Sequence, residues 1–107
     1  MKRTQYRIEW TRKAMKMLRE VLPLPIQKEV FEQASLLKAK PKQGKTLKKE
    51  LAGYYSIHAG QDRYRIIYTA DPEAKLIVIH AVGRRSAGKE TDIYEIARKL
   101  LAAKLLE

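Results

Sequence analysis

The sequence predicts an α+β fold: a small, mainly antiparallel four-stranded sheet packed against an N-terminal helical hairpin, with a C-terminal helix, in the order β-α-α-β-β-β-α. Three observations predict it. One alternating segment opens the chain and is followed by two segments of helical period separated by prolines. Three strand-type runs joined by two turn signals then fill residues 54–85, YYSIHAGQDRYRIIYTADPEAKLIVIHAVGRR. A last helical segment follows. The 107 residues contain 45% apolar side chains and show neither an internal repeat nor a dividing linker, so 1–107 reads as a single domain around one core.

Each element has a local cause. In residues 5–10, Tyr6, Ile8 and Trp10 share one face and Gln5, Arg7 and Glu9 the other, the alternation of a half-buried strand. Thr11 is placed to cap a helix whose apolar stripe is Ala14, Met17, Leu18, Val21 and Leu22, with Arg12, Lys13, Lys16 and Arg19 opposite. Pro23 ends it, and Pro25 suits the first turn of a second helix with the stripe Ile26, Val30, Ala34 and Leu37 and Phe31 beside it. The short connection predicts antiparallel packing of the pair, and Pro41 marks the second helix's end. Residues 38–49 form a lysine-rich connection that reads either as a phosphate-contacting loop or as a solvated linker.

Tyr54–His58, Tyr64–Thr69 and Lys75–Val82 read as strands, with turns at Gly60–Arg63 and Asp71-Pro72. The run Leu76, Ile77, Val78, Ile79 fits a central strand covered on both faces. Residues 83–89 read as a flexible basic loop. Thr91 or Asp92 then caps a helix with the stripe Ile93, Ile96, Ala97, Leu100 and Leu101, extended by Leu105.

Composition narrows the function. Twenty-three Lys and Arg against twelve acidic residues give a net charge of +11, an excess that fits an anionic partner. There is no cysteine, so disulfides and thiolate metal sites are excluded; with His58 and His80 the only histidines, no metal-ligand spacing is present, and no cofactor is expected. The longest apolar run is too short to span a bilayer, and MKRTQYRIEW lacks the apolar core of a secretory leader, so the expected location is the cytoplasm.

Strand alternation sorts the candidate chemistry. With Ile57, Ile66 and Tyr68 facing the helices, His58 and Arg65 lie on the open face; Arg84 and Arg85 follow the last strand. Arginine stays cationic and binds phosphate bidentately, whereas histidine can take or give a proton near neutrality. Tyr94, at the start of the last helix, could stack on a base or donate to a phosphate. Such a set fits RNA cleavage by a 2′-hydroxyl attacking the adjacent phosphate, which needs a proton acceptor, cationic support and in-line geometry. His80, in an apolar strand and sharing a face with Leu76, Val78 and Val82, reads instead as a hydrogen-bonded core or rim histidine.

The order and spacing of YRIEW, a helical hairpin, TLKKELAGYYSIHAGQDRYRIIY, LIVIHAVGRR and DIYEIARKLL resemble the RelE/ParE superfamily, the toxins of bacterial type II toxin–antitoxin pairs, over nearly the whole chain. For the RelE branch the resemblance implies mRNA cleavage in the ribosomal A site without metal. It implies Arg65 as a phosphate binder, Arg85 as support for the transition state or leaving group, Tyr94 as the base-stacking tyrosine and His58 as the proton acceptor. Lys45, Lys48, Lys49, Arg63, Arg84 and Lys89 are the expected RNA and ribosome contacts. Ser56 departs from the branch, standing where RelE-type members carry a second lysine, and the segment from Arg85 to Tyr94 is longer. The implied partners are a cognate antitoxin, the ribosome and mRNA, with operator DNA reached only through the toxin–antitoxin complex and no membrane. The alternatives are a ParE-like inhibitor of DNA gyrase and a catalytically inactive member that only binds.

Overall fold

A computed structural model describes residues 5–106. The reading on a leader rests partly on residues 1–4, outside the described residues. Strand β1 (Arg7–Trp10) leads into helix α1 (Arg12–Val21) and helix α2 (Leu24–Leu36). A two-residue strand β2 (Lys45–Thr46) and a 3₁₀ turn (Lys49–Leu51) precede β3 (Tyr55–Ala59), β4 (Tyr64–Asp71), β5 (Leu76–Arg84) and helix α3 (Ile93–Ala102). The sheet order is β1-β5-β4-β3-β2, with β1 parallel to β5 and the other pairs antiparallel. This is the expected α+β arrangement with one strand more. The addition is β2, which pairs Lys45 with Ser56 and Thr46 with Tyr55 and lies inside the segment read as a loop. Two residues are too few to show a period, so only pairing with β3 reveals them.

Local signals place the helices. Thr11 Oγ1 accepts the Ala14 N–H at 3.0 Å, capping α1, and Pro25 stands in the first turn of α2. Ala14, Leu18, Leu22, Val30, Ala34 and Leu37 meet Ile57, Ile66, Tyr68, Ile77, Ile79 and Val82 in the larger apolar cluster. The two helices share this cluster, but α1 lies chiefly along β5 and α2 along β3; contrary to the expectation from the short connection, they do not pack mainly on each other, because each buries its stripe on the sheet.

The other sheet face is not open throughout. Leu51, Ile67, Ala81, Ile93, Ala97 and Leu106 form a second cluster, so α3 covers part of that face. Ile67 and Ala81 are apolar on this side and would otherwise face water. What remains uncovered is the end of the sheet carrying His58 and Arg65.

A β-bulge in β5 reorganises the register. Ile67 pairs with Ala81 but Tyr68 pairs with Ile79, which leaves His80 as the extra residue. The bulge shifts the alternation by one, so Ile77, Ile79 and Val82 all join the larger cluster. His80 therefore does not share a face with Val82, as simple alternation requires. It lies on the α3 side, where Nδ1 donates to the Leu106 carbonyl at 2.7 Å and Nε2 meets Thr69 Oγ1 at 2.8 Å. It is a buried, hydrogen-bonded histidine, as its apolar strand indicated.

Strand β5 also runs further than expected: Gly83 and Arg84 belong to it, paired with Arg65 and Tyr64. Helix α3 ends in a Schellman turn, with Leu105 N–H bonding to the Leu100 carbonyl and Lys104 N–H to that of Leu101. Lys104 takes φ +60° there. The reversal buries Leu106 and leaves Leu105 about half exposed, the opposite of a continued helical stripe.

Candidate functional site

The site begins with the β3–β4 hairpin. Gln61 and Asp62 both adopt positive φ, 57° and 66°, as the two-residue turn between right-twisted strands requires. Neither is glycine, so the turn stores local strain, and it aims Asp62 at the site. The Asp62 carbonyl accepts from an Arg65 Nη at 2.6 Å, and its carboxylate lies 3.2 Å from His58 Nδ1. The register sets His58 directly opposite Arg65, which brings their side chains together on one face. The Tyr64 carbonyl also accepts from Arg65, at 3.1 Å. Arg65 is thus held by backbone carbonyls, which orient the guanidinium without neutralising it.

Gly83, opposite Arg65, brings α3 down on the sheet. A Cβ there would lie 2.8 Å from Ile93 Cδ1, so glycine leaves the space that the buried Ile93 side chain fills at the start of α3. Asp92 caps α3, its Oδ2 accepting the Tyr94 N–H at 3.2 Å. Its Oδ1 accepts from the Ser86 N–H and from an Arg85 Nη, each at 2.6 Å. The Asp92 side chain is 3% exposed and that of Arg85 36%. Burial alone pushes the Asp92 carboxyl's pKa up, but hydrogen bonds from Arg85, Ser86 and Tyr94 and the Arg85 charge more than offset it, holding it below the ordinary carboxylate value.

Arg85 lies over the Tyr94 ring, 4.9 Å from its centroid, a cation–π arrangement. The Tyr94 hydroxyl is 2.7 Å from Oγ of the buried Ser56. Ser56, the departure from the lysine pattern, is therefore the anchor of the aromatic ring. One ring face and the hydroxyl are already engaged within the protein.

These side chains border one cleft of about 630 Å³, lined by Lys45, Thr46, Leu47, Lys48, Lys49, Leu51, His58, Arg65, Arg85, Tyr94 and Arg98. It contains all four candidate catalytic residues and three of the candidate contact lysines, six cationic side chains in all, and none of its lining residues is acidic. Carboxylates pair with two of the six, Asp92 with Arg85 and Glu50 and Glu95 with Arg98, and the remaining cations focus a positive potential there. Three expected contacts fall elsewhere. Arg84 pairs with Tyr64, which packs on the helical-hairpin face, so it points away from the cleft. Arg63 borders the hairpin turn and reaches the site only through its carbonyl, which accepts the Arg85 N–H at 2.8 Å. Lys89 lines a neighbouring cleft of about 380 Å³ that shares Arg85, Tyr94 and Arg98.

Two residues of the site were not singled out from the sequence. Arg98 follows Tyr94 by one helical turn, a spacing that puts both on one side of α3, and it is tied to Glu95 and to Glu50. Asp92 was legible as a cap, but its contact with Arg85 depends on the path of residues 85–91. Among the described residues no group of three or more His, Asp or Glu side chains is arranged to hold a metal, and no helix is long and apolar enough to cross a membrane.

Comparison with known proteins agrees with this architecture. Residues 8–87 match the family described as the ParE toxin of the type II toxin–antitoxin system parDE. Among curated proteins none matches the chain. The toxin–antitoxin complex RelBE2 from Mycobacterium tuberculosis contains a chain 36% identical, with a TM-score of 0.68 over 76% of this chain and 99% of that one. A free mutant of the E. coli toxin RelE is 20% identical, with a TM-score of 0.69 over 89% and 96%. The chromosomal ParDE system of P. aeruginosa is also 20% identical, with a TM-score of 0.60 over 77% and 98%. The last two likenesses are of fold. By family match, identity and fold, the chain belongs to the RelE/ParE superfamily and is a toxin of the type II toxin–antitoxin class.

Proposed function

We propose that this toxin is a metal-independent endoribonuclease that cuts mRNA on the ribosome and so inhibits translation. The observation that carries the reading is the convergence of His58, Arg65, Arg85 and Tyr94 on one predominantly cationic cleft. In this reading the scissile phosphate lies between Arg65 and Arg85. His58 takes the proton of the 2′-hydroxyl, which attacks the adjacent phosphorus and expels the 5′-oxygen of the next nucleotide. The two guanidinium groups stabilise the charge that builds on the phosphorane. The remaining face of Tyr94 receives a base, and Lys45, Lys48 and Lys49 hold the flanking backbone. The partner that silences the cleft in the cell is a cognate antitoxin, the arrangement that the RelBE2 and ParDE complexes name for those proteins.

The test is mRNA cleavage on programmed ribosomes, mapped at nucleotide resolution, for wild type beside Arg85→Ala and Arg65→Ala. A cut in the A site that either substitution abolishes, with both variants folded, supports the reading. Intact mRNA with folded wild type refutes it.

A second reading, inhibition of DNA gyrase, is favoured by the matching family description, which is that of ParE and ends at residue 87, before Tyr94. DNA-damage signalling on induction, with mRNA intact, would establish it in place of the first.

A further inference from the structure

We propose that Asp92 is a positioning residue: it holds the Arg85 guanidinium over Tyr94, aimed into the cationic cleft, before any substrate arrives. The inference rests on the nuclease reading for its consequence, but on the geometry alone for the positioning.

A helix cap explains only half of what Asp92 does. Capping uses one carboxylate oxygen to accept an N–H of the first turn, and Oδ2 does this with Tyr94. The other oxygen, Oδ1, turns away from the helix to Arg85 and to the Ser86 N–H. A carboxylate 3% exposed needs a paired charge to be tolerated there, and Arg85 supplies it. The arginine is held at its backbone and at its tip. Its backbone N–H bonds to the Arg63 carbonyl, the next N–H in the chain bonds to Asp92, and its tip rests on Asp92 and on the Tyr94 face. The ring beneath is fixed in turn by the buried Ser56. A guanidinium carries five N–H donors in a rigid fork, so the Asp92 contact leaves donors for a phosphate. Arginine side chains lose considerable rotamer freedom when they bind, and this one has lost it in advance. The advantage therefore appears in the chemical step, where misplacement of a stabilising charge is most damaging.

The decisive variant is Asp92→Asn. Asparagine's single side-chain oxygen can keep the cap to the Tyr94 N–H, while its amide NH₂ replaces the oxygen that accepted from Arg85 and Ser86, so the pair is lost; thermal unfolding shows that the variant is folded before rates are compared. On programmed ribosomes the single-turnover cleavage rate is expected to fall by roughly tenfold or more. Affinity for a non-cleavable 2′-deoxy mRNA on the same ribosomes is expected to hold or improve, since a negative charge has gone. The second measurement is the ¹⁵N NMR spectrum of the free toxin. Separate Arg85 Nη–H signals, from slowed rotation about Nε–Cζ, are expected in wild type and averaged signals in Asp92→Asn. An unchanged cleavage rate, or a loss of rate matched by an equal loss of affinity, overturns the proposal. So do averaged Arg85 signals in wild type. If wild type cuts no RNA, the nuclease reading fails, and the Arg85 signals still decide the positioning claim.

Discussion

Gly83→Ala isolates the close approach that assembles this site. The φ at Gly83 is not in the left-handed region, so alanine meets no backbone penalty, and the effect is one of space alone. The new methyl group would stand 2.8 Å from Ile93 Cδ1 and 3.4 Å from both Cβ and Cγ1. The Cδ1 contact can be relieved by rotation, but Ile93 is fully buried among Leu51, Ile67, Ala81, Ala97 and Leu106, so rotation moves the clash elsewhere. The Cβ and Cγ1 distances are ordinary van der Waals contacts, so the cost lies in repacking the Cδ1 methyl within this filled cluster. Overpacking of a filled core costs about 1–3 kcal/mol. At roughly 4–8 °C per kcal/mol for a domain near this size, 2 kcal/mol lowers Tm by roughly 8–16 °C. Thermal unfolding by circular dichroism measures it. A Tm within about 2 °C of wild type would refute the packing argument, since relief without cost would mean α3 is not seated on β5 through Gly83. Gly53→Ala is the complementary case: no atom lies within 4 Å of the added Cβ, but φ is +95°, so any loss there comes from the backbone alone.

Two further outcomes are expected. Lys104→Gly should stabilise the fold by about 1 kcal/mol, because Lys104 holds φ +60° in the Schellman turn, where glycine has no steric penalty; denaturant unfolding would show a higher midpoint at unchanged slope. The folded-state pKa of Asp92 is depressed, so its contribution to stability is present above the ordinary value of 3.8 and is lost as pH falls through the folded value. The stability difference between wild type and Asp92→Asn should therefore shrink as pH falls below the ordinary carboxylate range; a constant gap would show that the Arg85 pair does not stabilise the carboxylate.

Element order was determined by the sequence alone, because period and capping are local: Tyr6, Ile8 and Trp10 alternate, Thr11 caps, and prolines divide the helices. The facing of His58 and Arg65 was legible too, since the turn at Gly60–Arg63 sets the register of β3 on β4 and alternation does the rest. Everything that crosses from one element to another waited for the tertiary structure. The bulge at His80 answers to packing on both faces of β5 and carries no signature in its own residues, and it reverses the facing of Val82. Strand β2 exists because β3 has an edge to pair with, and Arg84 points away because β5 continues through it. The same limit hid the second partner of Asp92. A cap is read from the residues just after it, whereas the Arg85 contact needs the chain from 85 to 91 to double back, and Gly83 to let α3 settle on the sheet. The chemistry of the site was written in residue types; its geometry depends on distances between segments that only packing brings together.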